Sequence, residues 1–281
     1  MRFVSFAHGS RAACGLVEGD HILVDPGSSY PDLKTVLEQG ALDDFAKACA
    51  SSGQRVARRE VKYLPLIPNP GKILCVGHNY EEHRQETGRA KTQYPSLFVR
   101  FADTLIGHEA PIVRPPFSTS LDYEGELAVV IGRGGFRIQP EDALNLVAGY
   151  ACFNDASIRD WQWHTQQFTP GKNFPSTGAF GPELVTPDEL GTFEDLKIET
   201  RVNGNVMQSS TFGHMIFPVA ETIAYISNFT RLSPGDVIAT GTPGGVGAKR
   251  QPPVWLKAGD VVEIEITNVG VLRNSVVDEA A

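Results

Sequence analysis

A chain of 281 residues, 41% hydrophobic and 21% charged, is long enough for one large domain or a large and a small one, and its composition excludes a disordered polymer. A net charge of −8 with no run of Lys and Arg excludes a phosphate-binding stripe, so no nucleic-acid partner is expected. No stretch approaches the length that spans a bilayer, the first residues lack the basic start and apolar core of a signal peptide, and the four cysteines are scattered without a CxxC pair. A cytoplasmic protein with free thiols and no membrane partner is the expectation.

Residues 1–65 read as a small N-terminal domain. Arg2 to Phe6, Ala12 to Val17 and His21 to Val24 are short β-type runs punctuated by Gly9, Gly15, Gly19-Asp20 and Asp25-Pro26-Gly27, which together predict a β-meander. Apolar residues at helical spacing follow, over Asp32 to Gln39 and Leu42 to Ala50. The Pro- and Gly-bearing stretch Leu64 to Lys72 is a linker, and residues 66–281 form the larger unit.

Beyond the linker, the apolar run Ile73 to Val76 enters Gly77-His78-Asn79-Tyr80 and then a short polar helix over Glu81 to Gly88. His83 and Glu86 share one face of that helix at i and i+3, where a carboxylate can orient an imidazole and raise its basicity. A strand is predicted over Ser96 to Phe101, with a turn at Gly107 to Pro111.

The stretch Leu121 to Ile131 (LDYEGELAVVI) alternates as one strand, which projects Glu124 and Glu126 from the same face. Two adjacent carboxylates leading into apolar sequence need a cation or several donors to neutralise them. A third carboxylate, Asp155, ends a second apolar strand that begins at Val147, and the three make an oxygen-donor set suited to Mg²⁺ or Mn²⁺, with Ca²⁺ as a substitute. The later pair Glu263 and Glu265 has no third carboxylate on a neighbouring buried strand and is assigned to a solvated face.

From Ser157 to Phe180 the chain is polar and aromatic, with Trp161, Trp163, Phe168 and Phe174; long segments of this kind are usually functional. Lys172 lies in it, and by itself reads as a solvated lysine. Asn203-Gly204 predicts a hairpin, Phe217 to Asn228 a helix and Asp236 to Ala239 a strand. The glycine-rich run 241–247 matches neither a P-loop nor GxGxxG; there the backbone amides and the Thr242 hydroxyl are expected to approach a substrate carboxylate.

Taken together, ILCVGHNY with His83, DYEGE, GYACFNDASIRD, GKNF, MIFP and GDVIATGTPGGVG occur in an order that resembles the fumarylacetoacetate hydrolase family, over roughly Gly71 to Val277. The resemblance implies a mixed α/β, mainly β fold with a rolled mixed β-sheet, and a homodimer. It implies that Glu124, Glu126 and Asp155 hold Mg²⁺ or Mn²⁺, that His83 and Glu86 activate water, and that Lys172 is the cation beside the metal. Arg159, Gln162 and Thr242 fall where the family contacts substrate, and Gly241 and Tyr80 are counted with them. His214, just before MIFP, departs from the family pattern and reads as structural. The expected activity is metal-dependent hydrolysis of the C–C bond of a 1,3-dioxo acid, such as an acylpyruvate or a fumarylpyruvate-like compound from aromatic catabolism. The same site permits decarboxylation of a β-keto acid of the oxaloacetate type, isomerisation of an enol-acid, or binding of an oxo acid without turnover. Trp161, Trp163, His164 and the paired glutamines are the expected substrate wall.

Overall fold

The computed structural model describes residues 1–25, 27 and 30–280. The turn expected at Asp25-Pro26-Gly27 includes Pro26 and lies outside them. Among the described residues the fold is mixed α/β and mainly β. A large mixed sheet runs, strand by strand, from Gln54–Ala57 through His21–Val24, Arg11–Glu18 and Arg2–His8 to Gly178–Val185, Val147–Asp155, Gly125–Ile131, Val237–Ala239, Ile73–Gly77 and Ser96–Arg100. The meander at the N-terminus is therefore continuous with the sheet that carries the acidic strands, joined through Arg2↔Val185 and Phe3↔Leu184. One core runs across residue 65: Phe3, Leu33, Val36 and Phe45 pack with Ala128, Val130, Phe153 and Phe180.

A second sheet of five strands, ordered Asn205–Thr211, Lys197–Val202, Val261–Ile266, Gly270–Asp278 and Ile112–Arg114, lies against the other face of the first. Leu127, Val129 and Ile131 pack there with Ile198, Ile264 and Leu272, and with Ile223 and Ile226 of the helix Val219–Phe229. Gly125–Ile131 is thus covered on both faces, which is why its sequence reads as a nearly unbroken apolar run. The hairpin turns through Asn203 and Gly204, both at positive φ, as the Asn-Gly signal requires.

The expected single strand over Leu121 to Ile131 is broken. Leu121–Asp122 pairs with Ser157–Ile158 in a separate small sheet, Tyr123 and Glu124 form the step, and the strand resumes at Gly125. One side-chain and one backbone bond stabilise the step: Glu124 N–H donates to Asn154 Oδ1 at 3.0 Å, and Asp155 N–H donates to the Glu124 carbonyl at 2.9 Å. The segment after Asp155 is less irregular than its composition suggests. It contains the short helices Arg159–Gln162 and Thr169–Lys172 before the strand Gly178–Val185 begins.

Candidate active site

Three carboxylates meet where the acidic strands end. The ligand oxygens of Glu124, Glu126 and Asp155 lie within 4.8 Å of one another, and the three side chains are buried. Their surroundings treat each differently. Burial raises the Glu124 pKa, but Arg159, Lys172 and His83 outweigh it and hold the group below the usual carboxylate range. Glu126 accepts one hydrogen bond, from Gly241 N–H at 2.8 Å, and burial beside Asp155 and Glu124 pushes its pKa well up. A buried oxygen set of three crowded carboxylates fits a hard divalent cation, which is the simplest way to keep all three ionised. The geometry therefore supports the expected ligand set.

Three cations are wedged among these acids. Lys172, 1% exposed, donates to Glu124 Oε2 at 2.6 Å and to Asp155 Oδ2 at 2.5 Å, and its Nζ lies 5.0 Å from the centre of the Phe98 ring. A solvated lysine is ruled out by that burial. Its helix can approach because residue 171 is glycine: a Cβ there would sit 2.4 Å from Gln162 Cβ. Arg100 donates to Asp155 Oδ1 at 2.6 Å and to Thr177 Oγ1 at 2.7 Å. Arg159 pairs with Glu124 at 2.6 Å through Nη2, with Asp122 at 2.8 Å through Nε, and reaches Gln162 Oε1 at 2.8 Å through Nη1.

Across a cavity of about 150 Å³ from the acids stands His83. Its Nδ1 meets Glu86 Oε1 at 2.7 Å, and the other Glu86 oxygen accepts from Gly245 N–H at 2.9 Å. The imidazole is held from behind, and among the described residues its Nε2 has no side-chain or backbone partner. His78 stacks on it at 5.2 Å and 12°, on a backbone with φ +56° that few non-glycine residues adopt. Burial and the neighbouring His83 lower the His78 pKa to about 4, so this second ring is neutral at pH 7.

Several expectations need correcting. The amides of the glycine-rich run face the protein's own carboxylates: Gly241 serves Glu126, Gly245 serves Glu86, and Gly247 and Ala248 serve Asp122 at 2.8 and 3.0 Å. An N–H already bonded to a carboxylate is not available to a substrate. Gly241 is required there by its φ of +98° and because a Cβ would lie 2.9 Å from the Val76 carbonyl. Thr242 lines the cavity, but its hydroxyl donates to the Gly125 carbonyl at 2.9 Å and accepts from Gln208 Nε2 at 2.7 Å. Tyr80 is buried, outside the cavity lining, in the core beside Met215. Of the expected wall, Trp163 lines the cavity, joined by Phe168 from the same segment, while Trp161 and His164 turn into a cluster with Phe117 and Phe174.

Sequence reasoning assigned no role to Asp122, Arg100, His78, Arg89 or Lys249. Asp122 was visible inside DYEGE, His78 inside ILCVGHNY, and Arg100 as a cation ending an apolar strand run; Arg89 and Lys249 gave no signal.

The family model for the fumarylacetoacetate (FAA) hydrolase C-terminal domain matches residues 72–277, and the chain belongs to the fumarylacetoacetate hydrolase family. It is similar to the oxaloacetate tautomerase FAHD2A, mitochondrial, of Bos taurus, with 42% identity over 288 residues, 99% of this chain and 92% of that protein. Among solved structures, the fumarylacetoacetate hydrolase of Exiguobacterium antarcticum superposes with a TM-score of 0.89 at 36% identity, over 99% of this chain and 100% of that one. The maleylpyruvate hydrolase of Sphingobium sp. SYK-6, solved with manganese(II) and pyruvate, gives a TM-score of 0.82 at 27% identity over 100% of both chains. Among the described residues no helix is long and apolar enough to cross a membrane.

Proposed function

We propose that this chain catalyses the keto–enol tautomerisation of a short 2-oxo acid of the oxaloacetate type. The observation that carries the reading is the likeness over nearly the whole chain to a protein named for that reaction. It displaces the C–C hydrolase reading to second place and takes up the isomerase alternative. The geometry supplies what the reaction needs. A divalent ion held by Glu124, Glu126 and Asp155 would supply the Lewis acidity that makes the C3 protons of a 2-oxo acid acidic. Mn²⁺ is supported by the solved maleylpyruvate hydrolase, and Mg²⁺ suits the same donor set.

His83 Nε2 removes a proton from C3, the electron pair forms the C2–C3 double bond, and the C2–O π pair moves onto oxygen. The same imidazolium then returns its proton to that oxygen, so nothing is consumed and the reverse path regenerates the ketone. Glu86 keeps His83 in one tautomer and stabilises the transient imidazolium. Lys172 and Arg159, buried and paired with the acids, would contribute positive charge to the field in which the enolate's negative charge develops. The four cysteines are buried and free, which supports a reducing compartment.

Hydrolysis of a 1,3-dioxo acid remains the second reading, favoured by the His83–Glu86 dyad, which would activate water equally well. One experiment separates them. Purified protein with Mg²⁺ is given enol-oxaloacetate, and enol absorbance is followed beside pyruvate release measured with lactate dehydrogenase; acetylpyruvate is run in parallel. Faster loss of enol absorbance without pyruvate supports tautomerisation. Pyruvate from acetylpyruvate would establish the hydrolase, and pyruvate from oxaloacetate the decarboxylase.

A further inference from the structure

The charges at the inner end of the cavity nearly balance, and those at its mouth do not. At the inner end, four buried carboxylates, Asp122, Glu124, Glu126 and Asp155, face three buried cations, Arg100, Arg159 and Lys172. A divalent ion would leave that end with a single excess positive charge, enough for one substrate carboxylate. A diacid brings a second. Of the four Lys and Arg side chains that line the cavity, Arg159 and Lys172 are taken up by the inner acids, leaving Arg89 and Lys249. Both are exposed, and among the described residues neither has a carboxylate oxygen within 4.0 Å.

Both are also placed by their backbones. Lys249 ends the turn Gly247–Lys249, whose Gly247 and Ala248 amides grip Asp122, the same carboxylate that holds Arg159. Lys249 is thereby registered against the inner end through one shared anchor. Arg89 donates its amide to the Arg84 carbonyl at 3.1 Å, and its carbonyl accepts from the Arg84 guanidinium, which is pinned to Glu81 at 2.6 Å. Its own guanidinium lies 5.6 Å from the centre of the Phe168 ring, and Phe168 packs edge-on against both His78 and Phe98. The aromatic wall thus carries a cation at its outer rim.

We propose that Arg89 and Lys249 form a recognition site for the second carboxylate of the substrate, which makes the enzyme selective for 2-oxo diacids over 2-oxo monoacids. This rests on the reading that the inner end takes the 2-oxo acid group. Charged hydrogen bonds of this kind are each worth about tenfold in affinity.

The test uses malate and lactate, stable 2-hydroxy acids that differ in the second carboxylate. Each is titrated calorimetrically into the full-length, Mg²⁺-loaded protein and into R89Q, K249Q and the double variant. The expected result is that malate binds the parent protein more tightly than lactate, that it weakens about tenfold in each single variant and further in the double, and that lactate is unaffected. Equal affinity for the two acids in the parent protein, no malate binding to it, or unchanged malate affinity in the double variant would overturn the proposal. Turnover of enol-oxaloacetate is measured on the same samples. Malate selectivity that depends on both cations, in a protein that does not turn over oxaloacetate, would leave the recognition site standing while removing the tautomerase reading.

Discussion

Glu124 and Glu126 stand where Gly125–Ile131 begins, and Glu263 and Glu265 alternate along Val261–Ile266: one Glu-x-Glu pattern, two settings. The first pair is buried, wedged against Lys172 and Arg159, with Asp155 beside it. The second lies at the surface of the five-stranded sheet, where Arg201 reaches Glu265 at 2.7 Å and Glu263 at 3.4 Å. The difference arises from what each strand packs against. Gly125–Ile131 is covered on both faces, so its acids cannot turn to water and must be neutralised by the protein or by an ion. Val261–Ile266 alternates apolar inward and acidic outward, where surface arginines and solvent share the neutralising.

The comparison would break most visibly at the acids themselves. In E126Q the rise in melting temperature on adding Mg²⁺ or Mn²⁺ should vanish and turnover should fall to background, while the metal-free protein becomes more stable because the cost of burying an acid beside Asp155 and Glu124 is gone. E265Q should keep the metal response and the rate; a lost metal response there would place the ion elsewhere. Next in size, H83A should lower kcat by about 10²- to 10⁴-fold with metal binding intact, the range expected of a lost general base. A normal rate would remove His83 from the chemistry.

The cations sharpen the contrast. K172M leaves two buried carboxylates without their shared partner, and denaturant unfolding should show a loss of about 3–5 kcal/mol in the metal-free protein. R201M at the surface cluster should lose under about 1 kcal/mol, and less at high salt. Similar losses in the two variants would mean that burial is not what distinguishes the pairs.

The smallest effect is on pH dependence. Because the folded pKa of His78 is about 4 and the ordinary value 6.5, the unfolded chain takes the proton first as pH falls. This contribution to stability is complete above pH 6.5, declines between 6.5 and about 4, and is lost below that; in H78Q that decline should be shallower. At the surface, hydrogen bonds from Lys197 and Arg201 lower the Glu199 pKa, so its contribution is present above the ordinary value of 4.5 and lost as pH falls below it. Thermal melts across pH in the two backgrounds would separate the windows.

The acids were legible because a Glu-x-Glu step into an apolar run is chemically conspicuous, and His83 with Glu86 because three residues along a helix is a local relation. Asp122 stood inside a quoted motif, yet its role as the anchor of Arg159, 37 residues on, and of the Gly247 and Ala248 amides, more than a hundred residues on, depends on long-range contacts that periodicity does not carry. The same reason hid the pairing of Arg2–His8 with Gly178–Val185 and the break at Tyr123-Glu124. Thr242 and Gly241 fell in the right place, but which acceptor each donor had already taken could be read only in three dimensions.

The strand Val237–Ala239 lies between Gly125–Ile131 and Ile73–Gly77, and just past its end Gly241 bonds Glu126. The acidic cluster is therefore assembled from segments far apart along the chain, and it cannot exist until those long closures have been made. A local unit such as the Asn203-Gly204 hairpin can form early; the ion's site is among the last things to appear. Metal in the medium would then leave the early steps of refolding unchanged and act as a ratchet at the end, slowing the escape of molecules that have already closed.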